Sequence, residues 1–380
     1  MKIGIVTFWQ TRDNYGQMLQ CWALQRKLIS WGHDPFLIRY THSEVVLYRF
    51  NFKKALSDIL HRRWKSLLPP RKKYLPLPQP SKTELMRNME AFKVSYIKMS
   101  ERIYTSLSDL RINPPLADCY IVGSDQVWGQ GLHFNENRVF YLDFGPRNIK
   151  RISYAASFGL NAYTTGKETL KNALDLFDAV SVRECSGLDI CSSVGVLAKL
   201  VLDPTLLLTA KDYIDSFGLH RKNSDIIYIY SLNITSPDEM GWSKIKKYAE
   251  KQKLVIKVTP GGGYISSCEL FGPVNYEYST IEHWLENILS SRLVITTSFH
   301  GIVFCILFHT PFIYVPLSGR FSQGNDRILS LLKMLDLEMN IYSNGFDIDN
   351  FVMPRWDTVD NKLEDLRKDS LDFLKNAISK

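Results

Sequence analysis

The segment Val294-Ile295-Thr296-Thr297-Ser298-Phe299-His300-Gly301-Ile302-Val303-Phe304 runs from an apolar stretch into small hydroxyl residues and then a histidine. If a strand gives way to a helix here, with Ser298 or Thr297 as its cap, His300 stands in the first helical turn. Free N–H groups and the positive field of a helix start gather anions at that point. A histidine there can pass a proton or a hydrogen bond to a bound anion. An isolated histidine more often packs in a core. Here the neighbouring Thr296, Thr297 and Ser298 have no evident core role, and Gly301 permits close approach, so His300 reads as a catalytic candidate.

Three further clusters have the same character. Arg183 directly follows the apolar run Asp178 to Val182, and its planar fork suits a carboxylate or a phosphate; the plain alternative is a bridge to Glu184. Tyr120-Ile121-Val122-Gly123-Ser124-Asp125-Gln126-Val127-Trp128 brings a hydroxyl, a carboxylate and an indole to one tip. Acid beside indole is a frequent sugar-binding pair, because the acid accepts hydroxyl protons and the ring covers the C–H face. Asp13-Asn14-Tyr15-Gly16 opens another helix, and Gly324-Asn325-Asp326-Arg327 adds amide donors and a second cationic fork; a turn or a helix start also explains each of these. Together they suit a small, multiply charged anion held beside a polyol. No His, Cys or Asp cluster has metal-ligand spacing. The first loop is not a G-x-G-x-x-G fingerprint, and Gly261-Gly262-Gly263 lacks the Lys-Ser/Thr of a P-loop.

These groups need sheet tips to hold them. Lys2 to Phe8 reads as a strand, Gln17 to Trp31 as a helix ended by Gly32, and Pro35 to Tyr40 as the next strand, a unit that demands parallel pairing. Asp118 to Gly123, Arg151 to Phe158, Asp178 to Val182 and Lys199 to Leu202 continue the rhythm as buried parallel strands. A second series follows Asp203-Pro204-Thr205, with strands at 225–232, 254–258, 292–296 and 311–316 and helices between them. The expected architecture is α/β, with a Rossmann-like domain over residues 1–203, another over 204–354, and a helix in 355–380 crossing the junction back to the first. Residues 43–108 carry no strand signal and read as a basic helical insertion followed by a proline-rich connector.

Bulk properties set the frame. The chain has 380 residues, 45% of them apolar and 23% charged, ordinary for a globular protein with two packed domains. No apolar run approaches a bilayer span, and the start enters a strand pattern without a signal-peptide layout, so the expected location is cytoplasmic. Cys21, Cys119, Cys185, Cys191, Cys268 and Cys305 are scattered and read as reduced thiols. The net charge is +8, and residues 53–111 hold fourteen Lys and Arg against five Asp and Glu, so this stretch accounts for the excess. Within 52–68, Phe52, Leu56, Ile59, Leu60, Trp64, Leu67 and Leu68 share one helical face, with Lys53, Lys54, Arg62, Arg63 and Lys65 mostly off it. Such a helix either docks on its own domain or lies peripherally at the inner membrane face or on an anionic lipid carrier. Nucleic-acid binding is not expected, because the basic stretch lacks a recognised module.

Six segments in order resemble the polysaccharide pyruvyl transferase family: Asp13-Asn14-Tyr15-Gly16-Gln17, Val122 to Trp128, Ser181-Val182-Arg183-Glu184, Val201-Leu202-Asp203-Pro204-Thr205, Thr297-Ser298-Phe299-His300-Gly301 and Asn325-Asp326-Arg327. The resemblance implies a GT-B-like fold, phosphoenolpyruvate as co-substrate with no separate cofactor or metal, and a pyruvate ketal on a cell-surface glycan or its lipid-linked precursor. Arg183 would match the arginine that holds the donor, and His300 the histidine of an Arg-x-His motif. Ser298 stands where that motif has its arginine, and Arg327 is the candidate replacement. On this reading His300 and Asp125 are catalytic, as acid and base. Arg183, Arg327, Ser298, Thr297 and Asn325 bind the donor, and Asp13, Asn14, Tyr15, Ser124 and Trp128 bind the acceptor. The rival expectations are a sugar-nucleotide glycosyltransferase on the same scaffold, since fold does not fix chemistry, and a non-catalytic glycan-binding relative.

Overall fold

The computed structural model describes residues 1–41, 79–129, 132, 135–164, 166–262, 269–343 and 345–379. The basic amphipathic segment 52–68 lies outside the described residues.

Two parallel sheets carry the fold. The first takes β1 (Lys2–Val6), β2 (Asp34–Tyr40), β3 (Met99–Tyr104), β4 (Cys119–Val122), β5 (Lys150–Ala156), β6 (Ala179–Val182) and β7 (Lys199–Leu200), in the order β3-β2-β1-β4-β5-β6-β7. The second takes β8 (Ile226–Ser231), β9 (Val255–Pro260), β10 (Asn275–Tyr276), β11 (Leu293–Thr296) and β12 (Phe312–Tyr314), in the order β10-β9-β8-β11-β12. The pairings are all parallel. The chain is therefore α/β, with two Rossmann-like units. Helices cover both faces of each sheet, which is why the central strands are unbroken apolar runs. Ile3, Ile5, Ile121, Ile152, Ile227 and Ile229 are wholly buried in them.

In each sheet the strand order reverses once, between β1 and β4 in the first and between β8 and β11 in the second. Ligands in such sheets collect beyond the carboxyl ends of strands at these reversals. Asp13 and Ser124–Asp125 follow β1 and β4, and Ser298–His300 follow β11, so each reversal carries candidate groups beyond its carboxyl ends.

The reading of residues 43–108 as strand-free is corrected by β3, which pairs with β2 at the sheet edge. Its Glu101, Arg102 and Ile103 are exposed, and the polar edge hides the strand pattern. The two-residue β10 is too short to leave a periodic signal.

The units join through apolar packing. The Tyr15–Ser30 helix buries Tyr15, Met18 and Trp22 in one core with Tyr213, Trp284 and Phe304. Tyr15 stacks on Trp284 with ring centroids 4.9 Å apart and planes at 6°. The Phe299–Phe308 helix is buried on all sides, as a helix apolar all round must be. Ser298, one of the two expected caps, caps it by accepting from the Gly301 amide at 3.3 Å. The Trp356–Ser379 helix crosses the junction. At its start Asp360 meets His309 Nε2 at 2.9 Å, and at its end Ile378 O accepts from Lys150 Nζ at 2.8 Å.

Candidate active site

The strand tips of both units meet at a cleft of about 610 Å³. Asp13, Asp125, Ser298, Phe299, His300 and Arg327 all line it. Beneath them lies a closely bonded charge cluster. Arg183 Nη1 donates to Ser124 Oγ at 3.1 Å and to Asp203 Oδ2 at 3.0 Å. Asp125 Oδ1 and Glu184 Oε2 stand 3.7 and 3.8 Å from the same guanidinium. Ser124 Oγ also donates to Asp203 Oδ2 at 2.6 Å, and Asp203 Oδ1 accepts from the Thr205 amide and hydroxyl at 3.0 and 2.6 Å. His300 Nε2 faces that second oxygen at 3.7 Å, across the junction between the units.

Burial alone would push the Asp203 carboxyl up, but His300, Arg183 and Ser124 together hold it well below the usual carboxylate range. A carboxyl depressed in the folded state adds stability that is complete above the unfolded value, near pH 4, and is lost as pH falls through the folded one. Asp203→Asn is therefore expected to lower the melting temperature at neutral pH, with the gap to wild type narrowing below about pH 4. Melting curves of both proteins across pH check this; a gap that stays constant into acid would contradict it. Glu184 moves the other way. Its burial raises the carboxyl, with Arg183, Ser157 and the Phe158 amide opposing.

Two guanidinium groups approach one ring, Arg183 at 5.0 Å and Arg327 at 5.9 Å from the Phe299 centroid. Burial and the neighbouring Arg183 push the Arg327 guanidinium down to about 10. Arg183 Nε and Nη2, Arg327 Nε, Asp125 Oδ2 and Glu184 Oε2 are enclosed and find no hydrogen-bond partner among the described residues. Buried donors in that state call for an acceptor.

Backbone geometry sets the reactive side chains. The His300 imidazole rests on Gly16, where a built Cβ would lie 1.9 Å from Nδ1. Asp13 rests on Gly262 in the same way, a Cβ there lying 2.0 Å from its Oδ2. Burial pushes the Asp13 carboxyl up, against the pull of Arg87. Asp125 has φ +104°, a conformation non-glycine residues rarely adopt. Its backbone is pinned by Ser157 N donating to Asp125 O at 3.0 Å, and its side chain by Gln126 N donating to Oδ1 at 2.8 Å. Strain held this firmly clusters at functional sites.

Of the residues singled out from the sequence, Asp13, Asn14, Asp125, Ser298, His300 and Arg327 reach the cleft wall, and Arg183 and Ser124 lie just behind it. Tyr15 and Trp128 do not reach it, which corrects their reading as acceptor contacts. Tyr15 is spent on Trp284 and on Ser279 O, to which its hydroxyl donates at 2.8 Å. Trp128 is 0% exposed, stacks on Tyr141 and donates its indole N–H to Phe140 O at 2.9 Å. Thr297 is bonded to Leu232 N and O, and Asn325 to Tyr314 and Leu317, and neither lines the cleft. Asn14 caps the Tyr15–Ser30 helix, accepting from Gln17 N at 3.2 Å.

The sequence reading gave no role to Asp203, Phe299 or Arg87. Asp203 has two signals, an acid closing an apolar strand just before proline and a place in one of the six resembling segments. Arg87 belongs by sequence to the basic insertion, yet it is buried, donates to Pro260 O, and lies over the Tyr15 and Tyr278 rings at 6.0 and 5.0 Å. Among the described residues no group of three or more His, Cys, Asp or Glu is arranged to hold a metal ion, and no helix is long and apolar enough to cross a membrane.

Comparison with known proteins follows the same outline. A family model described as polysaccharide pyruvyl transferase matches residues 14–319. No curated protein matches the chain. Among solved structures, the UDP-GlcNAc 2-epimerase from Neisseria meningitidis is 11% identical, with 99% of this chain and 94% of that one covered at a TM-score of 0.44. The epimerase from Methanocaldococcus jannaschii is 12% identical, with 96% and 92% covered at 0.45. An alpha-glucosyltransferase in complex with UDP is 9% identical, with 99% and 93% covered at 0.42. At these identities and TM-scores the likeness assigns this chain no role.

Proposed function

Because this chain belongs to the polysaccharide pyruvyl transferase family, we propose that it transfers pyruvate from phosphoenolpyruvate to a pair of glycan hydroxyls, releasing phosphate. The observation that carries this reading is the pair of guanidinium groups around Phe299, with enclosed, unpartnered donors beside His300 at a helix start. A small molecule with a carboxylate and a phosphate answers that donor set.

In the proposed reaction His300 gives a proton to the donor's methylene carbon, which becomes the methyl group, and C2 becomes electrophilic. One glycan hydroxyl adds to C2 and loses its proton to Asp125. Phosphate then departs with the C2–O bond pair, and the second hydroxyl adds to C2 to close the ketal as its proton passes to His300, which is restored as the acid. The arginines offset the charge of the carboxylate and the departing phosphate. Asp203 touches none of the reacting atoms; it positions Arg183 and faces His300. Acid catalysis of this kind contributes about 10²–10⁴-fold in rate. Arg327 serves in place of the motif arginine whose position Ser298 occupies, since Ser298 is committed to capping the helix.

The reading is tested by incubating the protein with phosphoenolpyruvate and a panel of lipid-linked and polysaccharide acceptors. Acceptor-dependent phosphate release, with a ketal methyl signal on the glycan by NMR, is the expected outcome. Glycosyl transfer from a nucleotide sugar without any ketal would overturn it.

A further inference from the structure

The cleft wall divides by charge between the two units. His300, Arg320 and Arg327 line it from the unit built on β8–β12. The described residues that line it from the unit built on β1–β7 include no Lys, Arg or His. That side offers two carboxyls, Asp13 and Asp125, the carboxamides of Gln10 and Gln17, and the rings of Phe8 and Trp9. Acids and amides bond hydroxyl groups, and aromatic rings cover C–H faces. A wall that carries carboxyls and no cation gives an anionic sugar no counter-charge.

The loop after β1 fixes the Trp9 ring. Its indole N–H donates to Tyr40 O at 2.7 Å, which ties the loop to the end of β2. Lys93 Nζ stands over the ring at 5.6 Å and pairs with Glu90 at 2.7 Å. Lys93 is 2% exposed, so the ring surface it covers faces the interior. Trp9 is only half-buried, and its remaining surface belongs to the cleft. Phe8 beside it packs edge-on against Phe140 with centroids 5.0 Å apart. Asp13 follows in the same loop, where Thr11 Oγ1 donates to its Oδ1 at 3.3 Å. Because β1 pairs with β4, this loop stands next to the strand tip that carries Asp125.

We propose that Trp9 and Asp13, with Phe8 beside them, form the subsite for the acceptor's sugar ring, and that this ring is an uncharged sugar, not a uronic or other acidic one. The assignment rests on the pyruvyl-transfer reading, since it seats the hydroxyl pair beside Asp125. It moves the aromatic contact from the inward-turned Trp128 to Trp9. An indole face also stacks a nucleobase, and the test separates the two.

Saturation-transfer NMR titrations would use methyl glycosides of glucose, galactose, mannose and N-acetylglucosamine, the methyl glycosides of glucuronate and galacturonate, and uridine. Phosphoenolpyruvate is titrated in parallel. The proteins are the wild type, Trp9→Leu, which keeps apolar bulk without an aromatic face, and Trp9→Phe, which keeps a ring. At least one neutral glycoside is expected to saturate the wild type, with affinity falling about tenfold in Trp9→Leu and less than about threefold in Trp9→Phe. The uronides should bind about tenfold more weakly than their neutral counterparts, a comparison made on the wild type and independent of how the variants fold. Phosphoenolpyruvate affinity and melting temperature should stay unchanged in both variants. Neutral-glycoside affinity unmoved in Trp9→Leu, uronides bound as well as neutral sugars, uridine bound in place of the glycosides, or no glycoside bound at all would each overturn the subsite. If phosphoenolpyruvate still binds in those cases, pyruvyl transfer stands without it. Trp9-dependent glycoside binding with no phosphoenolpyruvate binding would support the subsite and contradict pyruvyl transfer.

Discussion

Gly16→Ala is expected to cost about 100-fold or more in transfer rate while leaving the fold intact. The new Cβ would sit 1.9 Å from His300 Nδ1 and 2.3 Å from Cγ, so the imidazole has to move by more than an ångström. Misplacement on that scale at a reacting group is enough for such a loss. Helix propensity works in the other direction. Gly16 lies in the first turn of the Tyr15–Ser30 helix, where alanine is favoured over glycine by up to about 1 kcal/mol. Lost activity with an unchanged or raised melting temperature would therefore report displacement of His300, not unfolding. Full activity in Gly16→Ala would show that the observed His300 position is not the working one. A matching loss in His300→Gln, no larger when the two changes are combined, is the expected double-mutant result.

Arg183→Ala is expected to abolish donor binding and to destabilise the protein by about 3–5 kcal/mol. The side chain is 1% exposed, and its removal would leave Asp203, Asp125 and Glu184 enclosed without their shared cation. Breaking one side of a buried pair costs more than the pair itself contributes, because the remaining charge keeps its desolvation penalty. In a two-unit chain this corresponds to a fall of roughly 10 °C in melting temperature. Arg183→Lys separates the two effects: a single ammonium can restore charge to the carboxylates and hence much of the stability. It cannot also present the free guanidinium edge, so donor affinity should stay low. Recovery of donor binding in Arg183→Lys would contradict a two-sided role for the guanidinium.

The parts legible in the sequence were those fixed by local pattern. Buried parallel strands announce themselves as apolar runs, so the tips carrying Asp125, Arg183 and His300 could be found one after another. Ser298 could be read as a cap because capping is a matter of adjacent residues. What stayed hidden depends on distant pairing. Asp203 lies 79 residues from Ser124 in sequence, and its meeting with Ser124, Arg183 and His300 exists only once four strand tips from two units have come together. The inward setting of Trp128 and Tyr15 is hidden for a related reason. An aromatic beside an acid at a strand tip looks the same whether its ring turns outward to a sugar or inward to a core, and here both rings turn inward. Edge strand β3 was missed because exposure makes its residues polar.

The central claim is that the cleft takes phosphoenolpyruvate, and calorimetric titration of the wild-type protein with phosphoenolpyruvate, alongside UDP and UDP-sugars, tests it most directly. Saturable binding of phosphoenolpyruvate that disappears in Arg183→Lys, with no heat from the nucleotides, is the predicted result; binding of a nucleotide sugar with none of phosphoenolpyruvate would contradict it.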